Sequence, residues 1–265
     1  MASSFLYNRM DCISKFKLGF LIVLGLSMGC KQEAHEPVRS QKKVWFKALH
    51  QSGDLVEYRH ELTLYTDSTF VYDSKEKDHG HSKYEKFEGI AFIQNDTLHF
   101  SRNDMNGAGS KAVLKNGMLE FANGTNSFRL EVVENHTPLK SVINLRNHPD
   151  YALFTYYPSK KRDRNTPYDL SPAEFEKVRE LIHCVFEEQK ANLKSNQDYI
   201  KQLIPYRNKK GELEVRVNMF CNDKLDPNGF KYRTILMNDG GKCNVTFVVI
   251  FKSNYYVDFS VAGEA

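Results

Sequence analysis

Asp78-His79-Gly80-His81 is the histidine cluster of the chain, and two imidazoles this close in sequence can share a metal ion. A metal site needs three or four converging ligands, so His60 or His99 would have to be brought alongside by strand pairing. The neighbouring Ser, Lys, Asp and Gly residues instead read as an exposed hairpin loop, which leaves His79 and His81 as weak metal candidates. Gly107-Ala108-Gly109-Ser110-Lys111 has the composition of a phosphate loop but not its order. A P-loop needs Gly-Lys followed by Ser or Thr entering a helix, whereas here Gly-Ser-Lys stands between two β runs. Neither Gly-x-Ser-x-Gly nor His-Glu-x-x-His occurs, and a Cys221/His183 dyad would need a fold that local sequence does not encode. No catalytic residue and no cofactor follow from these motifs. Their absence does not exclude an enzyme, because catalytic groups converge in space.

Cysteine usage is more informative. Lys15 and Lys17 precede an unbroken apolar run, Leu18 to Leu26, too short for a membrane span of about 20 residues but of signal-peptide length. The run ends in Ser27-Met28-Gly29-Cys30, with small residues where a signal peptidase excludes bulk. This ending resembles the lipobox of bacterial lipoproteins, in which the thiol is acylated and becomes the new N-terminus. Ser27 departs from the commoner Leu. The resemblance implies a signal peptide over 1–29, lipid attachment at Cys30 and a tether over 30–43. Lys31 stands where inner-membrane lipoproteins carry Asp, which implies outer-membrane delivery, on its periplasmic or surface face. Formal net charge is +4, and Arg9, Lys15 and Lys17 against Asp11 account for +2 of it, so cleavage leaves too little positive charge for a nucleic-acid footprint.

Cleavage would leave Cys184, Cys221 and Cys243 in an oxidising envelope, where a disulfide is allowed. Cys221 continues the alternation of Leu213 to Met219, and Cys243 shares the phase of Val245 and Phe247. A Cys221–Cys243 bridge and a pair of buried free thiols are both open readings. Cys184, on the flank of a helical stripe, reads as a packed thiol.

The elements that must position these residues fall into two groups. From 44 to 134 the chain alternates in short runs broken by turns. Leu62 and Leu64 lead through Asp67-Ser68 to Phe70 and Tyr72. Gly89 to Ile93 leads through Asn95-Asp96 to Leu98 and Phe100, and Val113-Leu114 leads through Asn116-Gly117 to Met118 to Phe121. An antiparallel β-meander, barrel or sandwich, is expected. Phe87 to Phe100 resembles the lipocalin-like domains of envelope lipoproteins. Barrels of that type either hold one small ligand or are filled by their own side chains.

The second domain is expected over 138–265, so the fold class is α+β. Tyr151 to Tyr157 is a strand candidate, and the basic run Lys160 to Arg164 reads as a solvated loop. Ser171, Pro172 and Glu174 spell a capped helix start, Leu170 and Phe175 a hydrophobic staple, and Phe175, Val178, Leu181, Ile182 and Val185 an apolar stripe. Strand candidates at Leu203 to Arg207, Leu213 to Met219, Tyr232 to Met237, Val245 to Phe251 and Tyr255 to Val261 suggest one helix packed on a four-stranded antiparallel sheet. Gly211 to Cys221, Asp239-Gly240-Gly241-x-Cys243 and the terminal Val261 to Ala265 resemble a C-terminal domain of uncharacterised envelope lipoproteins. That resemblance implies secretion and a shared fold, and it brings no activity.

The expected protein is lipid-anchored to the membrane and acts by non-catalytic binding, with a small apolar molecule, a glycan or an envelope protein as partner. An envelope hydrolase is the first alternative. A metal-handling role through His79 and His81 is the second.

Overall fold

Alternation of apolar and polar side chains closes the first half of the chain into a barrel of eight antiparallel strands. They are β1 (Val44–Ser52), β2 (Val56–Tyr65), β3 (Thr69–Asp78), β4 (His81–Gln94), β5 (Thr97–Phe100), β6 (Lys111–Lys115), β7 (Met118–Phe121) and β8 (Arg129–Asn135). Pairing of β1 with β8 completes the ring, so the meander is a barrel and not a sandwich. The computed structural model describes residues 42–53, 56–122, 129–156, 164–222, 229–235 and 238–263. The export segment, Cys30 and Lys31 lie outside the described residues, as do positions 160–163 of the basic run.

Three two-residue hairpins set the register. Asn116-Gly117, Asn95-Asp96 and His79-Gly80 all take positive φ, as the tight turn matching strand twist requires. Gly89 pairs with Phe70, and a Cβ there would lie 2.9 Å from the Phe70 ring and 2.5 Å from Ser101 Oγ. The missing side chain lets Phe70 lie across the strand and meet Phe100 edge-on at 5.1 Å.

The barrel interior is a packed core. Phe46, Leu62, Leu64, Phe70, Tyr72, Leu98, Phe100, Leu119, Phe121 and Leu130 are buried together within it. Met105 and Ala108, from the loop between β5 and β6, complete that cluster. The glycine-rich segment with the look of a phosphate loop thus inserts side chains into the barrel, and its glycines at φ 78° and 94° let the backbone turn back out.

The second lobe contains β9 (Tyr151–Leu153), β10 (Thr166–Pro167), α1 (Pro172–Gln189), β11 (Tyr199–Arg207), β12 (Leu213–Cys221), β13 (Asn244–Ile250) and β14 (Tyr255–Val261). Helix α1 starts as its sequence requires, with Ser171 and Glu174 forming the full capping box and Leu170 buried beside Phe175. Its face of Phe175, Val178, Ile182, Val185 and Phe186 packs on Leu203, Val215, Val217, Val245 and Phe247 of the sheet. Phe186 joins the buried face, whereas Leu181 is only partly covered.

The sheet differs from a four-stranded antiparallel one. It has six strands in the order β10-β11-β12-β13-β14, and β9 adds to β11 in parallel. Residues 232–235 of the expected Tyr232–Met237 strand do not join it. A 3-10 turn at Gly229–Lys231 leads into them, and the buried Gln202 carboxamide takes the place of a ladder. Gln202 Nε2 donates to the Phe230 and Arg233 carbonyls at 2.7 and 2.8 Å, and the Ile235 N–H donates to Gln202 Oε1 at 2.9 Å. Leu236 and Met237 lie outside the described residues.

The lobes dock through the outer face of β7 and β8. Every residue of β7 is buried: Leu119 and Phe121 fill the barrel, while Met118 and Glu120 face the second lobe. Arg129 lies 3.4 Å from Glu120, donates to the Leu153 carbonyl at 2.6 Å and sits 4.4 Å over the Phe154 ring. Thr155 Oγ1 donates to Glu120 at 2.8 Å. Removing one member of a buried pair strands the other charge in a medium that cannot solvate it. Arg129→Met is therefore expected to cost about 3–5 kcal/mol in urea unfolding. Adding Glu120→Gln should recover part of that loss; a double variant no more stable than Arg129→Met alone would refute the charge argument.

Candidate functional site

The sheet face away from α1 is only partly covered. Phe230 and Ile235 cap Ala152, Phe154, Ile200 and Phe220 at one end. Beyond them lies a groove of about 510 Å³ lined by residues of all four long strands, the 155–156 strip and Thr234. That volume falls within the about 300–1,000 Å³ of small-ligand clefts.

Strand alternation dictates its chemistry. On β12, Leu213, Val215, Val217, Met219 and Cys221 join the helix-side core, so Arg216 and Asn218 face the groove. Asn218 pairs across the sheet with Thr246, and Arg216 with Ile204 and Val248. A β-bulge brings in the far rim: Thr246 pairs with Ser260 but Val248 with Val257, so Phe247 faces both Asp258 and Phe259. Phe259 packs into the core, while Asp258, with φ at 55°, lines the groove.

Asn218 is 5% exposed as a residue, and what remains uncovered is turned to the groove, where its carboxamide bonds no described residue. Neighbouring Gln202, by contrast, spends its carboxamide on the 230–235 segment. Arg216 and Asp258 are exposed and form no ion pair with each other or with any other described residue. Tyr156 packs 5.0 Å from Tyr206, whose phenol is pushed up by burial and by Glu214 accepting its hydrogen bond. Among the described residues the groove lining holds no histidine, cysteine, serine or lysine. It can bind through a cation, a carboxamide, hydroxyls and a carboxylate, and it offers no nucleophile paired with a base.

The residues singled out by sequence lie elsewhere. His79 forms a hairpin turn, hydrogen-bonds the Asp78 carboxylate and is 76% exposed on its side chain. His81 pairs with Asp78 at the same tip. His60 pairs with Ser74, four ladder positions and about 13 Å down the hairpin. Among the described residues no three His, Cys, Asp or Glu side chains converge as a metal site. Cys221 and Cys243 are disulfide-bonded, with Cα atoms 4.7 Å apart at the joined ends of β12 and β13. The bridge takes the Cys221 thiol out of any dyad with His183, which is exposed on α1. Cys184 is exposed and not packed, because Val185 and Phe186 take the core-facing positions of that turn. Lys201, 1% exposed, spends its ammonium donors on Asp150, the Asn196 carbonyl and the Tyr199 carbonyl, each at 2.9 Å.

A second polar cluster closes one end of the barrel. His60 Nδ1 lies 3.2 Å from the Tyr72 hydroxyl, and its ring is 5.5 Å from that of His50. Tyr232 of the second lobe stacks on His50 at 3.9 Å. Compared with family models, curated proteins and solved structures, the chain matches none.

Burial lowers the His60 pKa from 6.5 to about 4. Between those values the unfolded chain binds the proton that the folded chain refuses, so the stability linked to His60 is complete above about pH 6.5 and is lost as the pH drops toward about 4. The whole shift corresponds to about 3 kcal/mol. His60→Gln, which does not titrate, should flatten the change in urea midpoint between about pH 7 and about pH 4.5. An unchanged slope in that variant would remove His60 as its source.

Proposed function

We propose that this is an exported, lipid-anchored binding protein of the cell envelope that takes its ligand in the groove of the second lobe. The observation that carries the reading is a contrast. The barrel spends its interior on its own side chains, whereas the groove is open and presents a carboxamide beside a cation. The closed eight-stranded meander supports a lipocalin-like assignment for the first lobe, acting as a scaffold and not as a carrier. The lining sets Arg216, Asn218, Thr246 and Asp258 among Tyr156, Ile204, Phe247 and Val248, a mixture that suits a glycan or an amphipathic segment of an envelope protein.

The apolar run before Cys30 supports lipid attachment there, and Lys31 supports outer-membrane delivery. Among the described residues no helix is long and apolar enough to cross a membrane. In this reading acyl chains hold the protein, with about 0.8 kcal/mol for each buried methylene, and several chains make attachment effectively permanent.

Two measurements test the two halves of the proposal. Cys30→Ala should accumulate as unlipidated precursor and leave the detergent phase on Triton X-114 partitioning. Normal acylation of that variant refutes the anchor. In NMR titrations with polar fragments, amide signals of Arg216, Asn218 and Thr246 should move while those of Leu62 and Phe70 stay still. Fragments that move barrel-core signals alone refute the groove.

A further inference from the structure

We infer that the ligand of this groove is a carboxylate-bearing saccharide, an inference that rests on the groove being the binding site. Arg216 is an exposed guanidinium with no ion-pair partner among the described residues. Its planar fork matches a carboxylate through two parallel hydrogen bonds. Asp258 lines the same groove, and a ligand that sets one carboxylate on Arg216 and turns hydroxyls toward β14 leaves Asp258 as an acceptor.

Asn218 supplies the independent observation. Only 5% of the residue is exposed, and its carboxamide opens into the groove without bonding a described residue, so its donor and acceptor both face a ligand that can donate and accept. A sugar hydroxyl does both. The Thr246 hydroxyl lies opposite on β13, about 5 Å away across the pair, and Arg216 is about 7 Å along the same strand. One hexuronate ring spans that distance, with its carboxylate on Arg216 and its ring hydroxyls on Asn218 and Thr246. Ile204 and Val248 flank Arg216 and offer apolar contact to the C–H face of the ring.

An extended peptide fits less well. Peptides that add to sheets pair with a free edge, and this groove lies on the face of strands whose backbone groups are spent in their own ladders.

The test is a calorimetric titration of the full lipidated protein in detergent with trigalacturonate, the neutral galactose trisaccharide and inorganic phosphate. Trigalacturonate should bind at least about tenfold tighter than the neutral sugar, as a charge-assisted bidentate contact requires. Arg216→Gln should abolish that preference. Asn218→Ala should weaken both sugars about tenfold, and Asn218→Ser serves if the alanine variant melts early. Equal binding of acid and neutral sugars, a preference that survives Arg216→Gln, or tighter binding of phosphate each overturns the inference. If a neutral sugar or a peptide moves the β12 amide signals and trigalacturonate does not, the ligand class fails while the groove stands. If no probe moves them, both fail.

Discussion

Glu120 and Arg129 stand on neighbouring barrel strands with their side chains turned away from the barrel interior, where a solitary barrel would leave them in water. Here the second lobe covers them, and their side chains are 9% and 6% exposed. Desolvating two charges costs several kcal/mol for each ion, which only close pairing and further hydrogen bonds offset. Those further contacts come from one short strip, through the Leu153 carbonyl, the Phe154 ring and the Thr155 hydroxyl. The same strip carries Thr155 and Tyr156 into the groove wall. Docking of the lobes and the shape of the groove are thus one constraint. A barrel that fills itself still has a function in this arrangement, as the rigid surface against which the groove wall is clamped.

Local rules that depend on near neighbours were legible in the sequence. Asn116-Gly117 and Asn95-Asp96 announced their hairpins, because few residue pairs tolerate positive φ at both positions. Ser171-Pro172-x-Glu174 announced the start of α1, and alternation placed Leu213 to Met219 on a strand. The β9 addition and the fate of Tyr232 were not legible. Both depend on Gln202 and on residues about 30 to 50 positions away in sequence, and a β-branched, aromatic segment looks the same whether a strand or a side chain satisfies its backbone.

Motif reading set the conspicuous residues aside and found no site to put in their place. Histidines and glycines draw attention by type, yet His79-Gly80 makes a turn and Gly107 and Gly109 help plug a barrel. Arg216 and Asn218 carry no such signal, since polar residues alternating with Val and Met describe any half-exposed strand. What distinguishes Asn218 is its place in a groove, and that is visible only when the neighbouring strands and the 229–235 cap are in place. Their cysteine phasing, by contrast, put Cys221 and Cys243 on one side of one sheet, and the structure joins them.

The bulge at Asp258 has an effect beyond the groove. β14 is the outermost strand of its sheet, and an outer strand offers unpaired amides and carbonyls to any chain that passes. The extra residue breaks the repeat that an incoming strand would have to match, and it holds a charged side chain on left-handed backbone at the margin. A second copy meeting β14 would find its ladder interrupted there. The distortion that aims a carboxylate at the groove therefore also blunts the open edge of the sheet.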